Sequence, residues 1–301
     1  VSVSLPDFVR FTHVELMPGV PLYVYAVRGE RSSAVVDTGI KAMRGSVLTL
    51  CGEVSSSATP LSWVLVTHAH ADHIGNNHAV KERFGVRVAC GGAVAWLEDF
   101  DAHYRAFCLP DVLGDPSGQR AEILGLMDTP TPVDLVLTAG SRVRLGGLDL
   151  ETIALPGHKL EEIGFLEAQS GTLFLGDLLL ALKAPFFHGF DTATGFRASL
   201  DRLAGLLQTG QVRTVLAAHH PPLDAAGALG QVAATRAFLD DVETATLEAA
   251  TGVGFETLWR AVSAHLGKDA DFRGYAMLRA HIAELEVAGR VQRDGERIVR
   301  A

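Results

Sequence analysis

Cysteine is scarce in this chain. Cys51, Cys90 and Cys108 are the only three in 301 residues, and none stands in a CxxC pair. An odd count without paired spacing excludes a disulfide framework. Reduced, mostly buried thiols are expected instead. Aromatic residues make up only 7%. Basic residues are outnumbered, and the net charge of −9 argues against a general affinity for nucleic acid or an anionic membrane. No apolar run approaches the roughly 20 residues of a membrane span. The start, "VSVSLPDFVR", lacks the charged-then-apolar pattern of a secretory leader. A cytoplasmic protein with no membrane partner is expected.

What is present is aliphatic. Hydrophobic residues reach 48%, enough for a sizeable core in one large domain or a domain with an appendage. Short β-rich runs recur: 21–27, 33–37, 62–67 and 86–90, then 148–155, 163–168, 172–177 and 212–218. Several end in Gly, Asp or His, which marks strand-to-loop junctions. Helical patterns lie between them, at about 43–54, 73–84, 92–107 and 197–208. Strands interleaved with helices predict a layered α/β architecture. The Pro-, Gly- and Asp-rich stretch at about 98–133 reads as an insertion capping one face. Beyond residue 222 the strand pattern stops. Helical stretches follow at about 228–250, 254–266 and 275–288, then a hairpin signal at Asp294-Gly295.

The stretch "THAHADHIG" crowds His68, His70, Asp72 and His73 onto the loop after the apolar run 62–67. Ligands at a strand end are held rigidly yet stay open to substrate. Imidazole nitrogen and carboxylate oxygen suit zinc, iron or manganese. His158, Asp177, His219 and His220 also stand just after predicted strands. Alone, each is an ordinary turn residue. Together they supply donors for two metals.

These residues resemble the metallo-β-lactamase superfamily. Its HxHxDH signature is similar to His68, His70, Asp72 and His73, its Gly-His to Gly157-His158, its bridging Asp to Asp177 and its final His to His219. Its early "DTG" stands at Asp37-Thr38-Gly39. The resemblance covers about residues 20–222 and implies an αββα sandwich with metals at one edge. It implies that His68, His70 and His158 hold one ion, that Asp72, His73 and His219 hold the other, and that Asp177 bridges them. Asp37 would orient the site from behind. The chain departs from the family in four places: Asn76 replaces a glycine, Lys159-Leu160-Glu161-Glu162 replaces the usual Thr-Pro-Gly, Ala218 replaces a glycine, and His220 follows His219. The segment 159–162 is expected to be a solvated loop near the mouth.

The resemblance implies a dinuclear metal-dependent hydrolase. Two divalent ions, zinc first and iron or manganese as alternatives, would share a bridging hydroxide that attacks a small ester, thioester or lactone. Asp72 would also pass a proton to the leaving group. Antibiotic-hydrolysing members usually carry a cysteine where Asp177 stands, so that role is not expected. The all-His/Asp set is similar to glyoxalase II and lactamase-B2-like proteins. Two alternatives stay open: a phosphodiesterase or ribonuclease of the lactamase-B2 type, and a mononuclear iron dioxygenase.

The expected division is a catalytic domain over 1–222 and a helical, winged-helix-like module over 223–301. Winged helices often bind nucleic acid. Residues 251–301, however, carry eight Lys/Arg against seven Asp/Glu, so Arg279, Arg290, Arg293, Arg297 and Arg300 are expected to serve packing or dimerisation. A small-molecule substrate is the expected partner. Oligomerisation stays open. Around the pocket, His188 with Phe186 and Phe187 reads as lining or as a hydrogen-bonded loop, and Tyr104 and Phe107 as a cap or as packing.

Overall fold

Side-chain alternation decides the layers. In the computed structural model, which describes residues 3–114 and 118–301, two six-stranded sheets carry the chain. The first holds β1 (Val9–Met17), β2 (Val20–Arg28), β3 (Ser33–Val36), β4 (Leu61–Val66), β5 (Arg87–Cys90) and β6 (Leu135–Val136), in that spatial order. The second holds β7 (Arg142–Arg144), β8 (Asp149–Ala154), β9 (Ile163–Glu167), β10 (Thr172–Leu175), β11 (Thr214–Ala217) and β12 (Leu223–Asp224). The strands β3, β4 and β5 run parallel, as do β10 and β11.

Every second residue of these strands points into the space between the sheets. Tyr25, Val36 and Leu65 of the first sheet meet Phe165, Phe174 and Leu216 of the second. The intervening residues face outward and are covered by helices. Leu22, Val24 and Val64 pack under α1 (Arg44–Val54), with α2 (Ala71–Ile74) and α3 (Asn77–Phe84) beside it. Next come α4 (Val94–Glu98), α5 (Phe100–Cys108), α6 (Pro110–Leu113) and α7 (Gln119–Gly125). Leu173, Leu175 and Val215 pack under α8 (Ala193–Gln208) and α9 (Ala225–Ala249). The result is the expected helix–sheet–sheet–helix sandwich. All three cysteines are buried. Among the described residues no helix is long and apolar enough to cross a membrane.

The chain ends in α10 (Phe255–His265), α11 (Phe272–Val287) and a small sheet of β13 (Thr251–Gly254), β14 (Val291–Asp294) and β15 (Arg297–Arg300), ordered β13-β15-β14. The turn after Asp294 needs a left-handed residue, and Gly295 has φ +61°. Leu258, Trp259, Met277 and Ile298 join the same apolar cluster as β10 and β11. Glu284 of α11 accepts from the Ala193 N–H at the start of α8 (2.9 Å).

Several elements differ from the expectation. The edge strand β1 was hidden by its polar content, because an edge strand keeps one face in water. The run 92–107 is two helices. Asp99 caps the second by accepting from Asp101 and Ala102 N–H (2.8 and 3.1 Å). The region read as an insertion holds α5, α6 and α7, and its residues 115–117 lie outside the described residues.

Candidate metal centre

The clustered side chains share one edge of the sandwich because their strands end there. Asp37 follows β3, His68 follows β4, His158 follows β8, Asp177 follows β10 and His219 follows β11. Asp37 holds the loop of histidines from behind. Its own backbone is left-handed (φ +56°), a costly state for a residue with a side chain. In return its carboxylate accepts from Thr67 N–H (2.8 Å), Thr67 Oγ1 (2.8 Å) and His73 Nδ1 (2.9 Å).

Two groups of donors result. In the first, His70 Nδ1 lies 3.1 Å from His68 Nε2 and 2.9 Å from His158 Nε2. In the second, His219 Nε2 lies 3.3 Å from Asp72 Oδ2, and His73 Nε2 lies 3.8 Å from the same oxygen. Asp177 stands between them. Its Oδ2 is 3.5 Å from His158 Nε2, while its Oδ1 is 3.3 Å from His73 Nε2 and 3.4 Å from His219 Nε2. All seven expected residues are thus brought together. His220 is not among them: its Nε2 turns to the Leu179 carbonyl (3.1 Å).

The far nitrogens are spoken for. His158 Nδ1 donates to Gly189 O (3.0 Å) and His219 Nδ1 to Pro21 O (2.8 Å). Such bonds set the tautomer and aim Nε2 into the cluster. There, His73 Nε2, His219 Nε2 and Asp177 Oδ1 are buried with no hydrogen-bond partner. Buried polar atoms are almost always satisfied. A convergent set of imidazole nitrogens and carboxylate oxygens left open is what a divalent cation fits.

Electrostatics divide the groups. Burial, then neighbouring imidazoles, hold His68 and His70 well below the usual histidine range. Burial also brings His158 down to about 4. These three are neutral and ready to ligate. For His73, burial works in the same direction, but Asp72, Asp177 and Asp37 outweigh it and raise its pKa. Burial likewise opposes ionisation of Asp177, but His219 and His73 prevail and keep it a carboxylate.

Two supporting residues escaped the sequence reading. Glu162 is only 1% exposed. It is no solvated loop residue: its Oε1 accepts from the N–H groups of Asp177 (2.8 Å) and Leu178 (3.0 Å). Gly176 makes room for this, since a Cβ there would lie 2.6 Å from Thr67 Oγ1 and 2.9 Å from His68 Nδ1. Asn76, also fully buried, donates through Nδ2 to Thr38 O and Ile40 O (both 2.7 Å). It ties the Asp37 loop to the histidine loop. Their signal was the departure itself, a polar residue where a family pattern has something small.

The cluster floors a cavity of 470 Å³ walled by Met17, Phe107, Ile123, Phe186 and Arg273. The ring of Phe107 lies 4.7 Å from that of His70, so it caps the site. Tyr104 packs with Cys108, Ile123 and Phe272 instead, and Phe187 is fully buried in the core. Lys159 sits over Trp96 (4.7 Å) and pairs with Asp191 (2.9 Å). A larger cavity of 630 Å³ lies between the α5–α7 region and α10–α11 and touches none of the clustered histidines. The smaller one is the cavity that His70, Asp72, His158, Asp177 and His219 line.

Known proteins are similar to this chain in sequence and in fold. A hydroxyacylglutathione hydrolase from Cereibacter sphaeroides is 34% identical over 135 residues, 44% of this chain and 40% of that protein. One from Pseudomonas entomophila is 31% identical over 185 residues, 60% of this chain and 56% of that protein. The matches therefore span about half the length of these relatives. Among solved structures, a metallo-beta-lactamase family protein from Thermus thermophilus has a TM-score of 0.77 at 23% identity, covering 99% of this chain and 100% of that one. A beta-lactamase domain protein from Burkholderia ambifaria has a TM-score of 0.71 at 20% identity, covering 100% and 95%. This likeness in fold includes the C-terminal elements. Residues 17–219 match the metallo-beta-lactamase superfamily as a whole, and this chain belongs to that superfamily.

Proposed function

We propose that this protein is a metal-dependent hydrolase that holds two divalent cations, zinc in the simplest case, and cleaves a small ester, thioester or lactone. One observation carries the reading: the two oxygens of Asp177 face two separate donor groups. His68, His70, His158 and Asp177 would hold one cation. Asp72, His73, His219 and Asp177 would hold the other. When bound, such a pair supplies a Lewis acid and activates water near neutral pH. The chain does the rest. Asp72 is a quarter exposed to the cavity and is placed to pass a proton to the leaving group. Apolar side chains of Met17, Phe107, Ile123 and Phe186 line the space beside it. Residues 1–222 would carry the chemistry, and the helical, winged-helix-like stretch 223–301 would complete the wall through Arg273. The thioester option is supported by the relatives, whose names state hydrolysis of hydroxyacylglutathione.

The RNA reading draws little support. Of Arg279, Arg290, Arg293, Arg297 and Arg300 in the tail, Arg290 and Arg293 are paired with carboxylates, which weakens the electrostatic grip of that patch on phosphates.

Metal content by mass spectrometry, on protein purified without chelator, tests the reading. About two zinc or manganese ions per chain, with thioesterase, esterase or lactonase turnover, is the expected result. His70→Ala and Asp177→Ala should each lose turnover and metal together. Full activity in either variant sinks the assignment. One iron per chain with oxygen uptake would replace it by a dioxygenase.

A further inference from the structure

His158 is held from behind by the few residues that lead into α8. Its Nδ1 donates to Gly189 O (3.0 Å). The Asp191 N–H donates to Gly157 O (2.9 Å) and His158 O (3.2 Å), and the Thr192 N–H to Gly157 O (3.3 Å). The Asp191 carboxylate also pairs with Lys159 (2.9 Å). Helix α8 packs directly against the same turn. A Cβ on Gly157 would lie 2.7 Å from Phe196 Cα, and Ser199 Oγ donates to Pro156 O (2.7 Å). The direction of the His158 ring therefore depends on where α8 begins.

That helix start takes its negative charge from another element. Thr192 is the cap residue, and its Oγ1 accepts from the Gly195 N–H (3.0 Å). The first turn of α8 holds no acidic residue of its own. Glu284, half-buried on α11, supplies one. Its Oε1 accepts from Thr192 Oγ1, and its Oε2 accepts from the N–H groups of Ala193 (2.9 Å) and Thr194 (3.3 Å). A carboxylate there satisfies amides that have no partner inside the helix and meets the positive end of the helix dipole. Because Glu284 grips backbone, it fixes the helix start itself and not merely a side chain.

We propose that Glu284 is a positioning residue for His158. From the C-terminal elements it fixes the start of α8, and through residues 189–192 it fixes the tautomer and direction of the His158 ring. Its effect on cation binding rests on the two-cation reading above, in which His158 holds the first ion. Its effect on the His158 ring does not. The C-terminal stretch then has a task at the centre itself, beyond the wall that Arg273 provides.

The test reads His158 before any cation is added. In chelator-stripped, full-length protein with ¹⁵N-labelled histidine, NMR near neutral pH distinguishes the ring tautomers, and His158→Ala identifies the signals. Wild type should show one His158 species, with its proton on Nδ1. Glu284→Ala should show a mixture of tautomers. Titration with Co²⁺ follows. Glu284→Ala should bind one of two ions about tenfold more weakly, the one that His158→Ala weakens most, and the other as wild type does. Glu284→Gln keeps an acceptor oxygen and should recover most of that loss. Thr192→Val breaks the same contact from the other side and serves if Glu284→Ala does not fold. Where both fold, the double variant should lose less than the two single losses summed. A wild-type tautomer in folded Glu284→Ala overturns the proposal, and so does equal weakening of both ions. Fewer than two ions in wild type would sink the two-cation reading, and the tautomer would still decide the role of Glu284.

Discussion

Glu162 shows how much a single buried carboxyl carries. It holds the backbone of Asp177 and Leu178, and burial together with nearby Asp177 pushes its pKa well up. Glu162→Ala leaves two buried N–H groups unpaired, at about 1–3 kcal/mol each. The metal-free variant should melt lower by calorimetry and take up cations more weakly. Glu162→Gln keeps an acceptor and should stay near wild type; an unshifted alanine variant would contradict this. His103 makes a second, pH-dependent case. Burial lowers its pKa from 6.5 to about 4. The native state keeps it neutral, whereas the unfolded chain takes a proton near 6.5. Its contribution is present above that value and lost as pH falls toward 4. From about pH 7 to about pH 5 the loss is about 2 kcal/mol. Melts at the two pH values should show a smaller drop for His103→Gln than for wild type. The clustered histidines also titrate, but they do so in both proteins and cancel in the comparison.

At the scale of elements, the site is assembled from strand ends and walled by helices from distant parts of the chain. Phe107 comes from α5 and Arg273 from the first turn of α11. Arg273 borders the cavity and stacks on Phe186, and it belongs to none of the donor groups. Arg273→Gln should therefore raise KM about fivefold, for a contact of about 1 kcal/mol, while kcat and metal content hold. A loss of metal would show that it supports the centre instead. The strand ends were readable in sequence because apolar runs stopped at Asp or His. The helix walls were not, since nothing local to Arg273 announces a partner far earlier in the chain, at Phe186.

For the whole molecule, the C-terminal elements are not loosely attached. Val232, Leu239, Trp259 and Met277 share one apolar cluster with Leu173 and Val215 of the second sheet. A chain ending at residue 222 would expose that cluster to water. It should be insoluble or lack a cooperative melt by circular dichroism; a truncated protein with wild-type stability would refute this. The sequence by itself determined a layered α/β chain and which His and Asp residues end its strands; the resemblance supplied the sandwich and the grouping of donors. Period-two alternation and HxHxDH spacing are local, and local patterns survive without coordinates. Only the tertiary structure decided which oxygen of Asp177 faces which histidines, and that Glu162 and Asn76 are buried supports. Those facts depend on contacts between residues far apart in the chain, and burial and direction arise only when the sheets pack.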